Sequence, residues 1–318
     1  MKKTALLIFT LVLVLCSVAF AEFPEKQITV VCPYAAGGAS DTTSRIYASM
    51  LQKAVGVPVI VDNRTGSNGA VGMTYGAQAA PDGYTVSYMP AEISFNKLEG
   101  IGNVTPEDFR FLGIAMTIPA AITVKADSEW KTFEDFLKYA KENPGEITIG
   151  NSGSGSLWHI AAAAVEKACD IELEHIPYPA GASAAIAGLL GGEIDAVAVS
   201  GAEVSTYVAD GQLRTLVVLG SNRCSAESLK DVPTTKELGY EVPAIEGWGG
   251  FAVPKATDDA VVAKLVEASK SAINSQEMID LLASKGYEHV YKGGADADAY
   301  AKTKFEDNSK LVPTLKLK

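Results

Sequence analysis

Two loops rich in glycine and small residues carry the types with most chemical reach. Pro33-Tyr34-Ala35-Ala36-Gly37-Gly38-Ala39-Ser40-Asp41 lies between a strand-like run and an amphipathic stretch. Small side chains let a ligand approach the backbone, and glycine admits unusual φ/ψ. The first amides of a helix have no partner within it and mark the positive end of its dipole. That chemistry suits an anion at the carboxyl end of a strand. The plainer reading is a tight loop with Ser40 or Asp41 as an ordinary N-cap. Gly150-Asn151-Ser152-Gly153-Ser154-Gly155-Ser156 repeats the arrangement, with hydroxyls and an amide added. Its plainer reading is a flexible Ser-Gly turn.

Two further loops follow strand-like runs: Asn63-Arg64-Thr65-Gly66-Ser67-Asn68-Gly69 and Tyr178-Pro179-Ala180-Gly181-Ala182-Ser183. Four loops after four strands fall on matching edges of two sheets. Enzyme signatures are missing. No G-x-S-x-G, G-x-x-x-x-G-K, G-x-G-x-x-G or H-E-x-x-H occurs. Ser156 and His159 stand at i, i+3 and can touch, but a Ser/His pair without a third member is weak support for catalysis. A hydrolase using Ser154 or Ser156 with His159 is the enzyme alternative, and a capping histidine is the plainer reading. His159, His175 and His289 match no zinc spacing.

Alternating strands and helices must position these loops. Strand-like runs are 27–32, 58–61, 84–88, 147–150, 174–176, 196–200, 213–219 and 249–253. Helical patterns cover 41–55, a stretch opened by Thr132-Phe133-Glu134-Asp135, 157–168, a helix ending at Gly191-Gly192, and 257–273, 276–285 and 295–311. Such alternation implies parallel sheets covered by helices. Residues 220–247 read as a connection.

Residues 1–21 read as an export signal: Lys2 and Lys3, an apolar run, then Ala19-Phe20-Ala21 as an A-x-A cleavage site. Cys16 raises a lipoprotein alternative, which Leu15 before it disfavours. Removing 21 of 318 residues leaves 297, which suits two domains. Two lysines leave with the signal, so the formal charge moves from −11 to −13. Such a chain repels nucleic acid and anionic lipid. Of Cys32, Cys169 and Cys224, a Cys169–Cys224 bridge is compatible with export, and three buried thiols are the alternative.

At these loops the chain resembles the substrate-binding receptors of tripartite tricarboxylate transporters, the Bug or TctC-like proteins. The resemblance rests on PYAAGGASDTTSR (33–45), VDNRTGSNGAVG (61–72), PDGYTV (81–86), GNSGSGSLWHIAA (150–162), HIPYPAGASAAIAGLLGGEIDA (175–196), DVPTTKELGY (231–240) and GWGGFAVPKAT (247–257), in order. It implies an α/β, type II periplasmic-binding fold: two doubly wound domains joined by two crossing segments. Domain 1 would take 22–121 plus 247–318, and domain 2 would take 122–246. It implies a non-enzymatic, monomeric periplasmic receptor, without cofactor or metal, that delivers a small carboxylate to membrane transporter subunits. The ligand would be a dicarboxylate, tricarboxylate, aromatic carboxylate or amino acid. A sensor serving a membrane-bound kinase is the alternative. Carried over by position, the ligand site takes Tyr34, Ala35, Ala36, Gly37, Gly38, Ala39, Ser40 and Asp41, with Ser67 and Asn68. From the other domain come Asn151, Ser152, Gly153, Ser154, Ser156, Tyr178, Ala180, Gly181 and Asp195, the last with strand bracing as its alternative.

The chain departs from the family in three places. Ala35 and Ala36 stand where a proline is common, and Thr65 replaces another. After the third strand, where small hydroxylated residues are usual, the chain has Met89-Pro90-Ala91-Glu92. Ala91 and Glu92 join the candidate site on that ground. A carboxylate there would repel a second ligand carboxylate and attract an amine. The alternative turns Glu92 to solvent or to a lysine. Trp158 and Trp248 are placed to report closure.

Overall fold

The computed structural model describes residues 23–315 and 317. The export signal and Cys16 lie outside the described residues. The first elements are β1 (Ile28–Cys32), α1 (Ala39–Val55), β2 (Val59–Asn63), α2 (Ala70–Ala77) and β3 (Thr85–Pro90). Then come β4 (Phe109–Lys125), α3 (Phe133–Glu142), β5 (Thr148–Asn151), α4 (Leu157–Cys169), β6 (Glu174–Pro177), α5 (Ala182–Gly191), β7 (Ala196–Ser200), α6 (Gly201–Ala209) and β8 (Leu213–Val218). The chain closes with β9 (Glu246–Pro254), α7 (Asp259–Ile273), α8 (Gln276–Ser284), β10 (Glu288–Gly293) and α9 (Ala295–Leu311).

Local signals set many of these bounds. Gly56 takes φ 75° and returns its N–H to Gln52, ending α1 where glycine is cheapest. Thr132 and Asp135 exchange side-chain and backbone bonds in a full capping box at the start of α3. Gly192, left-handed at φ 74°, stops α5.

The expected parallel pairing holds at the flanks. β1 pairs in parallel with β2 and β3, and β5 with β6 and β7. The centre is antiparallel instead, because β4 and β9 run against their neighbours. The order is β2-β1-β3-β9-β4-β7-β5-β6, with β10 and β8 also on β4. β4 pairs with β9 from Phe109 to Pro119, then with β7 and β8 from Ala120 onward. It therefore runs through two lobes. The chain returns beside it at Ile245–Glu246, after the largely irregular stretch that follows β8. At this crossing Ala120 N–H donates to Ile245 O (2.9 Å), Ile245 N–H to Leu219 O (2.7 Å) and Leu219 N–H to Ala120 O (2.8 Å). Glu246, beside it, accepts from Ser221 N–H at 2.7 Å and pairs with Lys304 of α9 at 3.3 Å.

β4 carries no strand signal in the sequence. Its run FRFLGIAMTIPAAITVK is buried almost throughout, so no alternation of period two marks it. α2, α6 and β10 were also missed. All are short, and β10 is only half-buried.

The first lobe's core includes Tyr47 of α1 stacked on Phe251 of β9 at 3.5 Å and 8°, with Tyr88 edge-on to the same ring. All three are essentially fully buried. Cys32, Cys169 and Cys224 are buried and free, so the bridge is not formed. Phe251→Ala should lower stability by about 3–5 kcal/mol, read from urea unfolding, because a ring leaves a stacked core that cannot collapse.

Candidate functional site

The loops after β1, β2, β3, β5 and β6 converge on one cavity of about 690 Å³ between the lobes. From the first lobe Tyr34, Ala35, Ala36, Gly38, Ala39, Ser40, Asn68, Ala91 and Glu92 line it. From the second come Ser152, Ser156, Ala180 and Gly181. Trp158 and Trp248 line it as well.

The polar chemistry begins with two helix ends. α1 opens at Gly38 and α5 at Gly181, and neither N-cap has a side-chain hydrogen bond. By contrast Thr132, Ser156, Ser200, Asp258 and Ser275 cap α3, α4, α6, α7 and α8 with their side chains. Bare glycine caps leave first-turn amides open to whatever enters the cavity. Neither Ser40 nor Asp41 is the N-cap of α1.

Asp41 instead braces the loop from beneath. It is only 2% exposed. One oxygen accepts Gly37 N–H at 2.8 Å and Arg45 Nε at 2.9 Å, while the other accepts Asn63 Nδ2 at 2.9 Å. Asn63 Nδ2 also reaches Tyr34 O at 2.8 Å. Burial pushes the Asp41 carboxyl up. The bonds from Arg45, Gly37 and Asn63 outweigh that and hold it below its ordinary pKa. Gly37 thus belongs to the brace and not to the cavity wall.

The opposite loop is braced by other means. Asn151 is fully buried; its Oδ1 accepts Gly153 N–H at 3.0 Å. Its Nδ2 has no acceptor among the described residues. Gly153, at φ 114°, occupies backbone space that favours glycine. His159 Nδ1 accepts Gly155 N–H at 3.1 Å, and Ser156 Oγ accepts His159 N–H at 3.2 Å. Burial, then His175 nearby, depress the His159 pKa to about 4, so the ring is neutral and its acceptor is committed to the loop.

The remaining expected residues sit apart from the cavity. Tyr178 turns its ring over Gly150 and Gly188 and places its hydroxyl 3.3 Å from Glu193. Its carbonyl still holds Gly181 N–H at 2.9 Å. Asp195 ties down Thr148 at the start of β5, at 2.9 Å to the amide and 2.6 Å to the hydroxyl. Ser67 and Ser154 line other surface hollows.

The cavity wall also holds residues absent from the expected set: Tyr88, Pro90, Met116, Ile118, Leu157, Glu203 and Gly247. Met116 and Ile118 lie on the unrecognised β4. Glu203 caps α6 by accepting Ser200 N–H (3.1 Å) and Ser200 Oγ–H (2.6 Å). The Ser200-x-x-Glu203 spacing was the available signal for both that helix and this residue.

A family profile described as "Tripartite tricarboxylate transporter family receptor" matches residues 43–317. The chain belongs to this family. A TctC solute binding protein from Polaromonas superposes with a TM-score of 0.83 and 35% identity, covering 92% of this chain and 100% of that one. BugT of Bordetella pertussis is 27% identical over 83% of this chain and 81% of its own. MatC of Rhodopseudomonas palustris, solved with malate, shares the fold with a TM-score of 0.72 and 22% identity over 91% of this chain and all of that one. The fold is therefore the type II periplasmic-binding fold of this receptor family. The profile match begins after the loop 33–41, whose assignment to the cavity rests on geometry.

Two further carboxylates stand near the cavity. Glu92 is partly exposed at the wall, while the Tyr34 hydroxyl donates to Asn68 O at 3.5 Å. Burial raises the Glu92 pKa. Glu99 lies against the Ser-Gly loop of the other lobe: a Cβ on Gly155 would meet both its oxygens at 3.1 Å. Both oxygens are buried with no donor among the described residues. Burial, then the Glu92 charge, push its pKa up to about 7.

Asp41→Ala should cost about 2–3 kcal/mol at pH 7, and the gap should shrink below about pH 4, because a depressed folded pKa stabilises only where the carboxyl is ionised. Denaturant midpoints across pH would show it. Glu99 has the opposite sign. Its folded pKa is raised from 4.5, so the fold loses stability as pH rises from 4.5 through 7. Glu99→Gln should gain about 1–3 kcal/mol over the parent at pH 8 and nothing at pH 4, read from melting curves.

Proposed function

We propose that the chain is a periplasmic receptor that holds a small carboxylate in the interlobe cavity and presents it to a tripartite tricarboxylate transporter. The observation that carries this reading is the pair of glycine-capped helix starts, Gly38 and Gly181, on opposite walls of one cavity. Amide donors at two helix ends suit an anion without any cationic side chain. A ligand touching both walls favours the closed arrangement, since it contacts both only there. The lobes, 22–121 with 247–318 and 122–246, then act as the moving bodies. Export by the signal at 1–21 supplies the compartment, and family membership supports the transporter as partner. The malate bound to MatC is in keeping with a carboxylate ligand.

The hydrolase alternative has less support. Ser156 Oγ caps α4, and the His159 acceptor nitrogen is engaged by Gly155. Neither group is arranged to pass a proton to the other.

Mature protein should be titrated with mono-, di- and tricarboxylates, aromatic acids and amino acids. Melting temperature and tryptophan emission are the readouts. At least one carboxylate should raise the melting temperature by a few degrees and shift emission through Trp158 and Trp248. Stabilisation by none of them would sink the proposal. Gly38→Asp adds an internal anion at the α1 start, where the extended cap (φ −77°, ψ 176°) accepts any residue. It should weaken carboxylate binding at least about tenfold without lowering the melting temperature of the free protein.

A further inference from the structure

The cavity's charges do not balance for a plain diacid. Its lining includes two carboxylates, Glu92 from the first lobe and Glu203 from the second, and neither lysine, arginine nor histidine. Glu92 follows β3, and its carboxylate makes no ion pair among the described residues. Glu203 uses Oε2 for both bonds to Ser200, which leaves Oε1 available. The surrounding wall is apolar: Met116, Ile118, Leu157, Trp158 and Trp248. Closing such a wall over a ligand removes water and strengthens every uncompensated charge contact. A second ligand carboxylate would meet like charge there. An ammonium would meet opposite charge on both walls.

We infer that the ligand is zwitterionic: its carboxylate sits at the glycine-capped helix starts and its ammonium is held by Glu92 and Glu203. This rests on the carboxylate reading of the same cavity and narrows it to amine-bearing acids. Glu92 then selects the ligand from the first lobe. Glu203 engages the same group only when the second lobe is near, so the cation joins the anion in bridging the walls.

Calorimetric titration of the full mature chain at pH 7.5 with matched pairs tests this. The pairs differ by one amine: succinate and aspartate, glutarate and glutamate, propanoate and β-alanine. In at least one pair the amine-bearing member should bind about tenfold tighter or more. Glu92→Gln and Glu203→Gln should each cut that preference at least about threefold, with circular dichroism confirming the fold. Glu203→Gln keeps acceptor geometry toward Ser200 at an exposed position, so it reports even where Glu92→Gln fails to fold. An amine-free acid binding as tightly as its partner in every pair would overturn the inference and leave the carboxylate reading standing. A preference surviving both substitutions would overturn the assignment to these residues. Binding of no acid at all would overturn both readings.

Discussion

The first turn of an α-helix exposes amide groups that the helix cannot satisfy from within. Five helices here resolve that with a Ser, Thr or Asp side chain. α1, α2, α5 and α9 start at glycines without one, and of these α1 and α5 open into the cavity. Asp41 and Asn63 fasten the loop before α1, and the Tyr178 carbonyl holds Gly181 N–H at the start of α5. Asn151 and His159 fasten the Ser-Gly loop before α4. The braces are buried side chains, whereas the presented surface is backbone and small residues. This division explains how a strongly acidic chain can offer an anion site: oriented dipoles supply the local field, and net charge does not enter.

The same division decides what was legible in the sequence. Gly37-Gly38 and Gly153–Gly155 announced loops between strands and helices, and β7, α4 and α9 fell where periodicity and caps put them. Asp41 was legible as a loop residue and illegible as a brace, since its carboxylate is aimed by Asn63 of β2 and Gly37 N–H as well as by its i, i+4 neighbour Arg45. Asp195 shows the same limit at the start of β5. β4 was hidden because strands buried on both faces lose the alternation that reveals a strand. With β4 went Met116 and Ile118, and with α6 went Glu203. The four glycine-bearing loops carried a sequence signal, while the crossing strands carried none.

The three acids near the cavity have distinct physical standing. Glu92 lines the wall after β3, with its pKa raised by burial. Glu203 is a helix cap with one oxygen engaged. Glu99 has no donor and touches the opposing loop. An unpaired buried carboxylate is a standing cost to the fold, and its place between the lobes ties that cost to their separation. Under the proposed reading, selectivity and closure draw on the same scarce resource, which is positive charge in the cleft.

The crossing carries a mechanical consequence. β4, the end of β8 and the approach to β9 are tied there by three mutual amide–carbonyl bonds, and Glu246 fixes one of them to α9. Bending along the line of these strands changes only soft backbone torsions. Twisting or sliding one lobe past the other pulls the three bonds apart together. Under the proposed hinge, the three bonds favour one motion, a change in the angle between lobes, and that angle is the coordinate a partner would read.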